Sequence, residues 1–137
     1  MNRSMLALAA IAAVSLAGCA APGLSTQSVE QHVMARAQAR WDAARAGQFE
    51  KSFAFTAPSY RAVTDLKLFR GVTAGAQSLV SATVIGATCE TEASCAAKVR
   101  IEYYLPLGPQ RPKPEVVSNH FDEPWVKEEG EWWLFMR

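Results

Sequence analysis

The chain has 137 residues, half of them apolar and 20% charged, which suits one globular domain and excludes a disordered or fibrous protein. The formal net charge is +1, and Arg3 is the only charged residue among the first 18, so the remainder balances to zero. With no basic excess, and with Arg111-Pro112-Lys113 the densest positive stretch, nucleic acid is excluded as a partner, because phosphate neutralisation supplies most of that affinity.

The chain opens with Met-Asn-Arg, followed by an apolar run from Met5 to Leu16 and then Leu16-Ala17-Gly18-Cys19. A short basic start, an apolar stretch and small residues before a cut define a secretory signal. The run falls short of the roughly 20 apolar residues that a permanent span needs. Its Leu-Ala-Gly-Cys ending resembles the bacterial lipobox. In lipoproteins with that motif the cysteine thiol receives a diacylglycerol, the leader is cut before it, and the new amine is acylated, palmitate being a typical chain. The chemistry needs a thiol nucleophile, with small neighbours that let the extended backbone enter the peptidase. The plainer alternative is an ordinary secretory signal cut elsewhere, with Cys19 incidental. Several acyl chains hold a membrane as one cannot, at about 0.8 kcal/mol per buried CH₂. Ala20 after the cysteine resembles sorting to the outer membrane. The expected organisation is a signal peptide over 1–18, a lipidated tether over 19–27 and one domain over 28–137, facing the periplasm.

Export bears on the other two cysteines. Cys89 and Cys95 flank Glu-Thr-Glu-Ala-Ser between two strand-like stretches, and an oxidising compartment would let a disulfide persist there. Two free buried thiols, or half of a metal site, are the alternatives. With His32 and His120 far off in sequence, a metal is poorly supported, and no cofactor is expected.

In chain order, Ser28-Val29-Glu30-Gln31 has the form of a capping box, and Val29, Val33, Ala37, Trp41 and Ala44 recur at helical spacing, with Arg36, Arg40 and Arg45 off that stripe. Gly47 suits the position after the helix. Phe49 and Phe53 suggest a short helix that Pro58 ends. Thr64 is expected to cap another, with Leu66, Leu68 and Phe69, running to Gly71; residues 73–78 read as a connector. Strands are expected over 79–88, around Ala97 to Tyr103, over 116–127 with Pro124 at a bulge or an edge, and over 132–136 after a tight Glu129-Gly130 turn. Residues 107–114 read as a loop. Helices first and antiparallel strands second give an α+β fold, with the helices on one face of a strongly curved sheet.

The order of Ala37-Gln38-Ala39-Arg40-Trp41, Gly47-Gln48-Phe49-Glu50 and Pro58-Ser59-Tyr60-Arg61, then strands ending in Glu123-Pro124-Trp125-Val126 and Gly130-Glu131-Trp132-Trp133, resembles the nuclear transport factor two-like superfamily. That superfamily includes ketosteroid isomerase, scytalone dehydratase and polyketide cyclases. The resemblance implies a cone-like roll with a pocket between helices and sheet, and homodimerisation through the open sheet face. Isomerases of this kind use a carboxylate base with tyrosine and acid donors in an apolar cavity. The isomerase base has no matching position in this chain.

His120 and Asp122, two apart on a strand, point the same way and are the weak catalytic pair that an isomerase- or hydratase-like enzyme would use. The bland alternative puts both on the solvated face, because Val117, Asn119, Phe121 and Trp125 share the other. His32 is expected to be exposed or a capping donor. Tyr60, Tyr103, Trp125 and Trp133 are candidates for a pocket or interface, with core packing the default for the tryptophans. The chain has no Gly-rich phosphate loop, serine nucleophile elbow or His-Glu-x-x-His. The expectation is a lipid-anchored envelope domain without enzymatic activity, binding a small apolar ligand or a protein partner. An enzyme, or a structural accessory of an envelope complex, are the alternatives.

Overall fold

A computed structural model describes residues 28–105 and 114–137; the leader, Cys19, the tether and nearly all of the expected 107–114 loop lie outside the described residues. Helix α1 spans Val29–Arg45 and starts on the capping box: Ser28 Oγ accepts from the Gln31 N–H at 3.2 Å, and Gln31 Oε1 from the Ser28 N–H at 3.0 Å. It ends before Gly47, whose φ of +70° is the left-handed value that glycine alone adopts without cost. Its buried stripe is Val33, Ala37, Arg40, Ala43 and Ala44, whereas Val29 is exposed. Arg40 therefore lies on the stripe and not off it, because 33, 37, 40 and 44 follow the 3–4 spacing of one helical face.

Helix α2 (Phe49–Phe53) and helix α3 (Pro58–Arg61) follow; Pro58 opens α3 at its first turn, where the missing N–H is no loss. Helix α4 (Leu66–Thr73) is capped by Asp65, whose Oδ1 accepts from the Leu68 N–H at 2.8 Å, one residue later than the expected Thr64 cap. It runs past Gly71, anchored by fully buried Phe69 against Phe53. The expected connector continues it as a 3₁₀ helix, Ala74–Ser78.

Strands β1 (Ser81–Thr91), β2 (Ser94–Leu105), β3 (Glu115–Glu128) and β4 (Glu131–Leu134) form one antiparallel sheet in chain order. Irregularities in β1 near Ile85 and Glu90 shift the register against β2 and add twist, so that the sheet curves over α1. Cys89 and Cys95 stand opposite each other and are disulfide-bonded. Closing so short a loop contributes roughly 2 kcal/mol in the chain-entropy model. The β3–β4 turn uses Glu129 at φ 53° and Gly130 at φ 81°, the two left-handed residues of a tight hairpin. Pro124 causes no bulge against β2, where Ala96 pairs with it. Its carbonyl accepts from Phe135 just beyond the last β3–β4 pair, so its missing N–H falls where the ladder has ended, at a local edge.

Each outer strand is bonded from the helical layer over part of its length. Gln38 of α1 donates to the Ala82 carbonyl (3.1 Å) and accepts from the Val84 N–H (2.9 Å) on the outer side of β1. The link between α2 and α3 bonds along β4, with the Leu134 N–H donating to the Phe55 carbonyl and the Ala57 N–H to the Leu134 carbonyl. The core between them joins Val33 and Ala37 to Val84, Cys95, Ala97, Val99, Trp125, Trp132 and Leu134.

Candidate functional site

A buried ion pair marks the inner face of the sheet. Arg40 from α1 and Glu123 from β3 are 3% and 5% exposed and bond directly through Arg40 Nη2 and Glu123 Oε2. Trp125 Nε1–H donates to the other carboxylate oxygen at 3.0 Å. The Arg40 guanidinium lies over the Trp41 ring, 4.0 Å from its centroid. Burial pushes the Glu123 carboxyl above its ordinary value, and the charge of Arg40 and the Trp125 hydrogen bond oppose it. Burial likewise lowers Arg40, against the attraction of Glu123. Trp41 Nε1 adds a weaker pull on the same carboxylate without completing a hydrogen bond of normal geometry.

Beside this pair opens a cleft of about 260 Å³, lined by Arg40 and Trp41 of α1, by Val72 and Thr73 of α4, by Gly75, Ala76 and Leu79, and by Ile101 of β2. Local bonds hold its far wall. Thr73 Oγ1 donates back to the Phe69 carbonyl at 2.8 Å, and Arg45 Nη2 donates to the Val80 carbonyl at 2.7 Å, fixing the chain after the 3₁₀ helix to α1. Two other hollows are at least as roomy. One of about 290 Å³ lies at the β1 irregularity among Gly86, Thr88, Glu90, Lys98 and Asp122; the other, about 470 Å³ and wide open, lies among Phe53, Arg61, Val63 and Leu68. Neither has a buried charged group in its wall, so size is the wrong criterion here, and the smaller cleft is the candidate site.

His120 and Asp122 do not reach this cleft. Both are exposed, paired across the sheet with Arg100 and Lys98 on the solvated face, so the cavity base that an isomerase-like reading requires is not formed by them. Trp125 is fully buried core and not a pocket or interface surface: the inward face of β3 carries it straight onto Cys95 of β2 and the helix layer. Tyr60 is half-buried, edge-on to Phe53 at 6.5 Å. Tyr103 is half-buried opposite Val117, one step beyond Ile101 on its face. Trp133 is clamped between Arg36 and Arg61, each 4.9 Å from the ring, and its Nε1–H donates to the Glu128 carbonyl. Among the described residues, no three His, Cys, Asp or Glu side chains are placed to hold a metal ion, and no helix is long and apolar enough to cross a membrane.

His32, half-buried, meets Glu131 Oε1 at 3.0 Å, and Arg36 lies 3.6 Å from the other oxygen. The His32 hydrogen bond, then the Trp132 N–H, hold the Glu131 carboxyl below its usual range. A depressed folded pKa stabilises above the unfolded value of about 4.3 and is lost as pH falls through the folded value. Glu131→Gln is therefore expected to flatten the acid side of a melting-temperature profile taken from pH 7 to pH 3. The change should stay below about 1 kcal/mol, because Glu131 is 40% exposed and screened by water.

No family model matches the chain, and no curated protein is similar to it. Among solved structures it is similar to the solution structure of a SEC-C motif containing protein from Rhodopseudomonas palustris. The TM-score is 0.52 at 19% identity, covering 73% of this chain and 72% of that one. At that identity the likeness bears on architecture alone, and the architecture is α+β, with helices packed on a curved, unclosed antiparallel sheet.

Proposed function

We propose that the chain is a lipid-anchored protein of the bacterial cell envelope, attached through Cys19, and that its domain is a non-enzymatic binding module holding a small apolar ligand in the cleft between α1, α4 and β2. The lipobox-like Leu16-Ala17-Gly18-Cys19 supports the location, and the nuclear transport factor two-like pattern of helices and strands supports a pocket at this place. The observation that carries the binding reading is the state of the charges at the cleft. Arg40 and Glu123 occupy each other, and Trp125 holds the second carboxylate oxygen, so this carboxylate is committed to structure and not free to take a proton from a substrate. What remains is an apolar wall of Trp41, Val72, Ala76, Leu79 and Ile101. The sheet face continues past the cleft with Leu105 and Phe121 partly exposed, a surface suited to a protein partner or a second copy.

Gly75 supplies the test. A Cβ there meets no atom within 4 Å, so a side chain can start from this position without a clash. Gly75→Phe should fill the cleft, leave the melting temperature within a few degrees of wild type, and weaken binding of 2-ethylnaphthalene at least tenfold. Tryptophan fluorescence, with Trp41 in the wall, follows the titration. Wild-type protein that does not bind this probe, or a Gly75→Phe variant that binds it equally well, would remove the cleft as the site. Envelope attachment is tested separately: Cys19→Ser should leave the membrane fraction and lose the mass of the acyl chains.

A further inference from the structure

The three most exposed large apolar side chains among the described residues fall within ten positions: Val63 at 82%, Val72 at 70% and Leu68 at 63%, against 56% for the next, Tyr104. Apolar side chains scattered singly over a surface are ordinary, whereas a cluster marks a contact. Leu68 and Val72 stand one turn apart on α4, and Val63 and Leu68 border the same open hollow. Only Phe69 of α4 is fully withdrawn into the core, so this shoulder of the helix is apolar without being packed. Round the helix from Leu68 and Val72 come Gly71, then Lys67, then Arg70, so the exposed side passes from apolar to cationic. The helix has no carboxylate of its own, and Asp65 before it is engaged in capping. Arg61, in the wall of the hollow, adds a third positive charge. Arg61 and Arg70 lie over the Trp133 and Phe49 rings, and none of the three cations is ion-paired among the described residues. The charge is one-sided along the chain as well. Residues 61–78 set Arg61, Lys67 and Arg70 against Asp65, whereas residues 79–137, which include the sheet, have an excess of Asp and Glu.

An apolar shoulder beside cations suits the boundary of an anionic bilayer, where the apolar groups enter the acyl region and the cations stay among the headgroups. Resting on the lipid anchor proposed above, we propose that α4 and Val63 lie on the surface of the anionic phospholipid membrane that holds Cys19, with the acidic sheet turned away from it. The reach is sufficient. Residues 19–27 extend to about 30 Å at most, and α1, with 17 residues, is about 25 Å long. Val72 is shared with the cleft, so the contact sets the cleft beside the phase in which an apolar ligand concentrates. By itself the contact is weaker than one acyl chain, whose binding constant is about 10⁴ M⁻¹, so a chain without lipid still washes out of a membrane fraction.

Co-sedimentation with vesicles tests this on the chain from residue 19 onward carrying Cys19→Ser, which has no lipid and contains every described residue. Half of it should bind vesicles of dioleoylphosphatidylglycerol at about 1 mM lipid, and binding to dioleoylphosphatidylcholine should be about fivefold weaker. Val63→Ser/Leu68→Ser, which leaves the cleft wall untouched, should weaken binding to the anionic vesicles about fivefold at an unchanged melting temperature. Tyr104→Ser/Val116→Ser removes exposed apolar groups from the sheet and should bind as its parent does. No binding by the parent, no loss in Val63→Ser/Leu68→Ser, or an equal loss in the sheet variant would overturn the proposal. Equal affinity for the two lipids would overturn the anionic surface. A dimer in solution that Val63→Ser/Leu68→Ser dissolves, with no vesicle binding, would give the face to a second copy instead. Failure of the anchor shows in the mass at Cys19, and failure of this face shows in the vesicle titration, so the two are told apart.

Discussion

Glu123→Ala should lower the unfolding free energy by about 3–5 kcal/mol, the cost of leaving a buried guanidinium without its counter-charge. Arg40 is 3% exposed and stacked on Trp41, so it cannot swing to solvent without opening the α1–sheet contact. Against a typical total of 5–15 kcal/mol, that is a large share of the stability of a domain this size. Arg40→Met/Glu123→Gln should behave quite differently. The methionine fills the space with apolar volume, and the glutamine keeps an acceptor for Trp125 Nε1–H, so most of the stability returns. Urea unfolding of wild type, both single variants and the double gives the coupling energy directly. A Glu123→Ala cost under about 1 kcal/mol would show that water reaches the pair and that the site is wetter than its burial implies.

Much of the fold is legible in the sequence because local rules and tertiary packing agree there. The Ser28 capping box, the Gly47 termination, the β-periodic Ala97–Tyr103 and the Glu129-Gly130 turn are each fixed by the chemistry of neighbouring residues. Cys89 and Cys95 are placed by the same local logic, since a two-residue turn sets strand against strand. The site is less legible, because it consists of exceptions to the patterns. An arginine on an apolar stripe reads as solvated until its partner is known, and that partner is 83 residues away. A signal for Glu123 was nonetheless present. The alternation that puts Val117, Asn119, Phe121 and Trp125 on one face of β3 puts Glu123 there too, and a carboxylate on an inward face implies a buried cation. The same alternation correctly leaves His120 and Asp122 to solvent. The cleft itself follows from where α4 ends and the 3₁₀ helix begins, a boundary that residues 73–78 do not announce because small polar residues serve loops and helices alike.

Trp125→Ala should be as damaging as any single truncation in the core, at about 3–5 kcal/mol, since the indole is the largest fully buried side chain among the described residues. More informative is Trp125→Phe. That change keeps most of the apolar volume but deletes the Nε1–H that holds Glu123 Oε1, so the expected loss is about 1.5–3 kcal/mol, the range for a hydrogen bond to a charged acceptor. If the bond matters through the carboxylate, the cost of Trp125→Phe should shrink in the Arg40→Met/Glu123→Gln background, where the acceptor is neutral and the bond weaker. An undiminished cost there would assign the loss to packing alone.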